Sequence, residues 1–508
     1  MSQGVLPFQL DEKFSRSGVT ALAGLPTYLE LGHVLGLGAS IEEHLCARSG
    51  EQGYTDAQVV VPLVLMNLAG GDCVADLERL EDDPGFRRLY ERVELSHLPR
   101  KKRRQLRSRW RKKKRRLVPS ASSVFRYLEK FCVEEEKTER GYGQSYVPPV
   151  SKALHGLRLV NQDLLKAVYS RNPLQSKATL DLDATVKEVQ KDDALCSYKS
   201  GPAYQPLNVW WDEQELMVHS EFRDGNVSAC FENLRVLKES LEMLPEGVNK
   251  VAFRSDTAAY QKELLQFLAK GRSKRFGVID FAVGVPIEKY LRREIRRLEE
   301  EAWQPLLVQD KKTKVWKKSC YEWAEVVFVP NWVAHKKSNP EYRFIVTREA
   351  LSQQPLAGLE EQLELPFSTT ELAGTHYKLY VTVTNLDWSG DEVIRWYRKR
   401  CGKSEQVHST MKSELAGSQL PSGKFGVNAA WWAIMILALN LNSAMKQLVL
   451  APALGKRWAR KRLKAIRYHI INLPGRIVNH ARELWIKIGG TAALSRLRDI
   501  RTRIAALA

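Results

Sequence analysis

The sequence has no C-x-x-C pair with a matching His or Cys pair. Its seven cysteines, at positions 46, 73, 132, 196, 230, 320 and 401, are odd in number and scattered through 508 residues. That pattern argues against a structural zinc and for reduced, cytoplasmic thiols. The N-terminal MSQGVLPFQLDEKF shows no basic leader before an apolar core, so no signal peptide is expected. Long apolar runs are missing too. The longest, AAWWAIMILALNL from Ala429 to Leu441, is too short to span a bilayer and contains Asn440, so it reads as a helix buried inside a domain. Acidic residues are the scarce charge: 59 Asp and Glu stand against 79 Lys and Arg, a net +20. A surplus that large points to a polyanionic partner or an anionic membrane. With no suitably long amphipathic helix, the membrane is the weaker explanation and no membrane partner is expected.

A chain of this length exceeds what one core usually supports, so two to four domains are expected. Residues 15–98 show apolar spacings of three and four, as in DAQVVVPLVLMNLAGG, broken by Gly and Pro. The run RKKRRQLRSRWRKKKRR, Arg100 to Arg116, is almost wholly cationic. In so basic a chain its favoured reading is contact with phosphates, with Lys101, Lys102, Arg103, Arg104, Arg111, Lys112 and Lys113 as candidates. In PSASSVFRYLEKF, Ser120 or Ser122 is placed to cap a short helix. GYGQSYVPPVS then reads as a linker closing a helical, basic region at 1–150.

From about 176 the period becomes strand-like. ATLDLDATV, QPLNVWW and ELMVHSEF read as three strands. Helix SACFENLRVLKESLEML, strand KVAFRSD, helix TAAYQKELLQFLAKG and strand KRFGVIDFAV follow. This α/β order is that of an RNase H-like fold, assigned to 151–285. Residues 286–380 read as a mainly β insertion around an acidic loop at LEEQLELPF. Helical spacing resumes in 381–450, as the second part of the core, and a basic, helical tail is expected over 451–508.

Asp181 and Asp183 lie two apart on one strand, so both carboxylates project from one face. An acidic residue flanked by Leu180 and Leu182 in a strand interior is locally unfavourable, which marks either a functional site or an edge strand with a solvated face. Asp256 ends the strand VAFRSD, where α/β sheets gather their ligands, although helix capping alone would explain it. Asp280 is a competitor, ranked lower because its strand continues on both sides. Glu405 shares a helix face with His408, Ser409 and Lys412, a spacing that also suits a solvated charge pattern.

The ordered stretches TLDLDATV, YKSGPAYQPL, GNVSACFENL, VAFRSDTAAY, VTNLDWSGDEVIRWYRKRCGKSEQVHSTMK and GKFGVNAAWW resemble insertion-sequence transposases of the DDE domain group 1 class, the insertion sequence 1380 type. The resemblance covers most of the chain and implies a catalytic Asp183, Asp256 and Glu405, with Asp181 as a neighbouring candidate metal ligand. It implies two Mg²⁺ ions, replaceable by Mn²⁺, because hard ions of this kind take carboxylate oxygens. It also implies cut-and-paste transposition on double-stranded DNA, with terminal inverted repeats and target DNA as partners and a homodimer in the DNA complex. The alternatives are a nuclease without strand transfer and a transposase-derived DNA-binding protein. The wider family's tyrosine, arginine, glutamate and lysine signature maps to Tyr397, Arg400, Glu405 and Lys412 as DNA contacts. Here Arg400 to Glu405 is one residue longer than the common form. On one regular helix that rotates Arg400 about 100° off the shared face. Either Gly402 permits a local bulge, or Arg398 is the cation on that face.

Overall fold

The computed structural model describes residues 17–48, 53–96, 98–112, 115–133, 145–172, 176–191, 194–198, 201–310, 312–333, 341–351, 369–372, 375–481 and 483–508. Lys113, the acidic loop LEEQLELPF and the start of the GYGQSYVPPVS linker lie outside them. The chain divides into two compact units, one from residues 1–134, 149–171 and 410–508, the other from 135–148 and 172–409.

The second unit is built on a ten-stranded mixed sheet. Its strands are β1 (Lys177–Ala184), β2 (Leu207–Trp211), β3 (Leu216–Glu221), β4 (Lys250–Ser255), β5 (Asp280–Val285), β6 (Gln304–Gln309), β7 (Trp316–Val326), β8 (Arg343–Ala350), β9 (Thr369–Leu372) and β10 (Thr375–Thr384). Across the sheet the order is β3-β2-β1-β4-β5-β10-β8-β7-β6, with β9 beside β10. β1, β4 and β5 run parallel, and the flanking pairs are antiparallel. Parallel neighbours need a crossover, supplied by α1 (Asn233–Met243) before β4 and α2 (Lys262–Ala269) before β5, and α3 (Lys289–Arg296) follows β5. α1 turns Val236, Leu237, Ser240 and Leu241 inward at helical spacing. Each fully buried aliphatic side chain of this kind contributes about 1.5–3 kcal/mol.

β1 is therefore an interior strand, not an edge. Ala178, Leu180 and Leu182 are buried on one face, Thr179 and Asp181 on the other. The β-rich stretch is continuous with this sheet, because β10 pairs directly with β5.

The helix expected after residue 388 is interrupted. α4 (Gly390–Arg398) ends, Gly402 takes a left-handed φ of +83°, and α5 (Lys403–Ser413) begins. α4 buries Val393 and Ile394 with Ala282, Leu306, Trp323, Ile345 and Leu386.

The first unit is mainly helical. Its centre is Phe425–Ala444, in which 19 of 20 residues are buried. Together with its continuation to Leu454 this helix is apolar and long enough to cross a membrane, yet 83% of its most apolar window is buried in the structure. It packs on Asp56–Ala69 and Lys152–Arg171. Its polar groups are paired inside: Asn440 Nδ2 donates to Asn161 Oδ1 at 2.7 Å, and Tyr28 donates to Asn442 Oδ1 at 2.9 Å. The buried run thus belongs to the helical unit rather than to the α/β core. Ser120, not Ser122, caps Ala121–Leu128. The C-terminal region departs from the expected all-helical tail: Gly475–His480 and Glu483–Ile488 form a hairpin that pairs with Val19–Thr20. Alternating β-branched and aromatic residues in GRIVNH and ELWIKI, set off by Pro474, favour strands there.

Candidate active site

The parallel register aligns Leu182 of β1 with Ser255 of β4. The next residues, Asp183 and Asp256, therefore leave the carboxyl ends of two adjacent strands at one level. Asp256 also caps a short turn, its Oδ1 accepting from Ala258 N at 3.0 Å. That occupies one carboxylate oxygen. The capping and site readings of Asp256 are therefore compatible.

Arg400 faces both carboxylates. Its Nη1 lies 3.7 Å from Asp183 Oδ2 and its Nη2 lies 4.0 Å from Asp256 Oδ2, which are ion pairs too long for hydrogen bonds. Burial raises the Asp183 pKa to about 6. The neighbouring Asp256 charge adds to the rise, and Arg400 opposes it. Burial also works against the Arg400 charge, but Tyr397, Asp183 and Asp256 together hold its pKa above the usual value. Tyr397 packs beneath Arg400, its ring centre 5.9 Å from the guanidinium carbon, and burial raises its pKa to about 12. Gly284 on β5 permits this closeness. A Cβ there would stand 3.0 Å from the Tyr397 hydroxyl and 3.1 Å from Thr257 N.

The break at Gly402 resolves the irregular spacing of the signature. Arg400 lies in the turn between two helices, free of the 100° offset a single helix imposes, and it is the arginine facing the carboxylates. Arg398 instead lies 3.9 Å over the Tyr321 ring.

Glu405 is exposed in the first turn of α5. His408, one turn later, has its Nε2 3.3 Å from Asn208 Nδ2, and Asn208 is the register partner of Asp183 on β2. α5 thus lies against the strand beside Asp183, with Lys412 two turns beyond Glu405. Sequence reading placed His408 on this face but overlooked Asn208, which has no motif to reveal it. Asp183, Asp256 and Glu405 do not close to within 4.8 Å of one another. The His, Cys, Asp and Glu groups that do so among the described residues are Asp72, Cys73 and Asp76, and His219, Glu221 and Glu239. Asp76 is occupied by the backbone of Asp72 and Cys73, and Glu221 by Arg223 and Arg235.

Asp181 does not fit the role of metal ligand. Its carboxylate is buried, and both oxygens accept from Arg254, at 2.6 and 2.8 Å. Asp280 begins β5, at the end of the strand opposite to the one where Asp183 and Asp256 leave the sheet, and near Lys250. It is removed from the site.

The basic run forms a helix, Arg100–Lys112, on which Lys101, Lys102 and Arg104 are exposed and Arg103 is half-buried. Other cations of the run are engaged internally: Arg107 pairs with Glu91 at 2.8 Å, and Arg115 stacks 4.9 Å from the centre of the Trp110 ring.

The strand order and the paired carboxylates at the ends of its parallel strands are features of an α/β enzyme with a charged site at the carboxyl edge of its sheet. The chain belongs to the transposase DDE domain group 1 family, whose model matches residues 9–363 and 368–508. No curated protein matches. Among solved structures, the chain is similar to a piggyBac transposase in a synaptic complex with hairpin DNA, with 8% identity over 95% of this chain and 80% of that one and a TM-score of 0.39.

Proposed function

We propose that this DNA transposase performs cut-and-paste transposition: metal-dependent cleavage at the transposon ends, then strand transfer into target DNA. The observation that carries the reading is the convergence of Asp183, Asp256 and Arg400 at the carboxyl ends of β1 and β4. The order β3-β2-β1-β4-β5, antiparallel and then parallel, supports an RNase H-like core with β6 to β9 inserted before the helix that carries the glutamate.

The donor set suits hard divalent ions. Asp183 and Asp256 offer closely spaced carboxylate oxygens, and the raised Asp183 pKa reflects a negative charge that a cation would relieve. Asp183, Asp256 and Glu405 would hold the Mg²⁺ or Mn²⁺ ions. When bound, such ions acidify the attacking water and stabilise the departing 3′-oxygen.

Arg400 contributes a preorganised cation. Its Nε is buried without a hydrogen-bond partner among the described residues, and its Nη atoms make no close bond to either aspartate. The guanidinium is therefore available to a phosphate oxygen next to the scissile bond, where Arg favours two-pronged contact. Tyr397 keeps it there, and Lys412 adds a further phosphate contact. Hydrolysis frees a 3′-hydroxyl. That hydroxyl then attacks a target phosphodiester and releases another 3′-oxygen, so the number of ester bonds is conserved and no ATP is needed. Lys101, Lys102, Arg103 and Arg104, with Arg111, Lys112 and Lys113, supply salt-sensitive affinity for the terminal repeats. Holding two ends together calls for a homodimer.

Asp256→Asn and Glu405→Gln are expected to retain binding to DNA carrying the terminal inverted repeats while losing Mg²⁺-dependent cleavage. Near wild-type cleavage by either variant refutes the site assignment. Strand transfer from pre-cleaved ends separates a transposase from a nuclease that only hydrolyses.

A further inference from the structure

A second set of charges lies next to the carboxylate pair. Arg254, wholly buried on β4, donates to both oxygens of Asp181, pairs with Asp212 Oδ2 at 3.0 Å, and donates through Nη1 to the Trp396 carbonyl at 2.8 Å. Its guanidinium carbon also lies 5.2 Å from the centre of the Trp396 ring. Asp212, directly after β2, accepts from Lys403 Nζ, and Lys403 is the first residue of α5. One arginine on the sheet thereby holds the last turn of α4 and, through Asp212, the first turn of α5. Tyr397, Arg400 and Gly402 lie between those two points, and Glu405 follows two residues after the second.

Burying Arg254 with Asp181 costs several kcal/mol per ion, and a well-packed apolar pair would hold the sheet at least as firmly. What an apolar pair lacks is direction. A guanidinium fork bonded along its edges to two carboxylates and a carbonyl fixes where each partner stands. We propose that Asp181, Arg254, Asp212 and Lys403 are positioning residues: they set the turn from α4 to α5 against the ends of β1 and β4, and so hold Arg400 against Asp183 and Asp256 and fix the start of the helix that carries Glu405. The proposal rests on the active site assigned above.

Lys403 separates positioning from bulk stability. The Lys403 side chain is 47% exposed, and an ion pair of that kind is worth about 0–1 kcal/mol, so its removal should barely move the melting temperature. The test uses Lys403→Met in the full chain, with a duplex carrying the terminal inverted repeat. Three quantities are measured: melting temperature, DNA affinity without metal, and single-turnover cleavage against Mg²⁺ concentration.

In Lys403→Met melting should stay within about 2 °C of wild type and DNA affinity should be unchanged. The maximal rate should fall about tenfold, an order expected when catalytic groups shift by a fraction of an ångström, and the Mg²⁺ concentration for half-maximal rate should rise several-fold. Lys403→Arg should restore most of the rate. Wild-type rate and Mg²⁺ dependence in Lys403→Met overturn the proposal. So does a rate loss that tracks a fall in melting temperature, or one explained by weaker DNA binding. Asp256→Asn, run in parallel, keeps the two ideas apart. If it still cleaves, the active-site assignment fails; if it is inactive while Lys403→Met is fully active, only the positioning proposal fails.

Discussion

Asp183 shows how a single residue sets folding against chemistry. Burial raises its pKa from 3.8 to about 6, so the folded, metal-free protein binds this proton more tightly than the unfolded chain does. The stability contributed by the protonated form is fully present below the unfolded pKa and is lost as pH rises through about 6. Asp183→Asn carries no such charge. In EDTA it is expected to be more stable than wild type at pH 7.5, by up to about 3 kcal/mol, with the gain vanishing near pH 4. Thermal melts at the two pH values check this, and an equal difference at both would point to packing instead. On the proposed metal site a divalent cation would relieve the same buried charge, so added Mg²⁺ should stabilise wild type and leave Asp183→Asn unmoved.

At the scale of elements, two glycines govern where α4 and α5 stand. Gly390 opens α4 against the Trp323 ring, where a Cβ would lie 2.1 Å from the ring carbon Cζ3. Gly390→Ala should cost about 1–3 kcal/mol by forcing the ring or the helix to move. That cost should shrink in a Trp323→Leu background, and denaturant unfolding of the four combinations measures the coupling. Gly402 differs, with no atom within 4 Å of its would-be Cβ and a φ of +83°. Gly402→Ala therefore meets no clash, and only the left-handed backbone costs it about 1–2 kcal/mol. Gly402→Asn should cost less, because Asn tolerates that conformation. If Gly402→Ala unfolds at wild-type denaturant concentration, the break between the helices does not need its left-handed residue. The motif from Tyr397 to Lys412 was legible in the sequence. The break that makes its irregular spacing workable was not, since a glycine inside helical periodicity signals a bulge, a cap or nothing at all.

For the whole molecule, the excess of cations should appear as salt-dependent DNA binding. Replacing Lys101, Lys102 and Arg104 together by Ala should flatten the dependence of log K on log salt by about 2 to 3, with melting unchanged because all three are exposed. An unchanged slope would remove this helix from the DNA interface. The surplus of cations pointed to a polyanion or an anionic membrane without choosing between them, and the cysteine spacing argued against a structural zinc. The order of strand and helix periods pointed to an α/β core. Asp183, Asp256 and Glu405 were singled out by the resemblance to DDE transposases, because locally each also suits an edge strand, a helix cap or a solvated charge pattern. Other features were decided by tertiary contact between segments far apart in the chain. Asp181 and Asp183 look alike locally, two residues apart on one face, yet Arg254 from β4 bonds both oxygens of the first, while the second meets Arg400 at 3.7 Å. Arg398 and Arg400 were likewise equivalent candidates until Tyr321, from a distant strand, took one of them. Which carboxylate is locked in close hydrogen bonds and which is held more loosely depends on what the fold brings opposite it, and a residue's own neighbours in sequence hold no record of that.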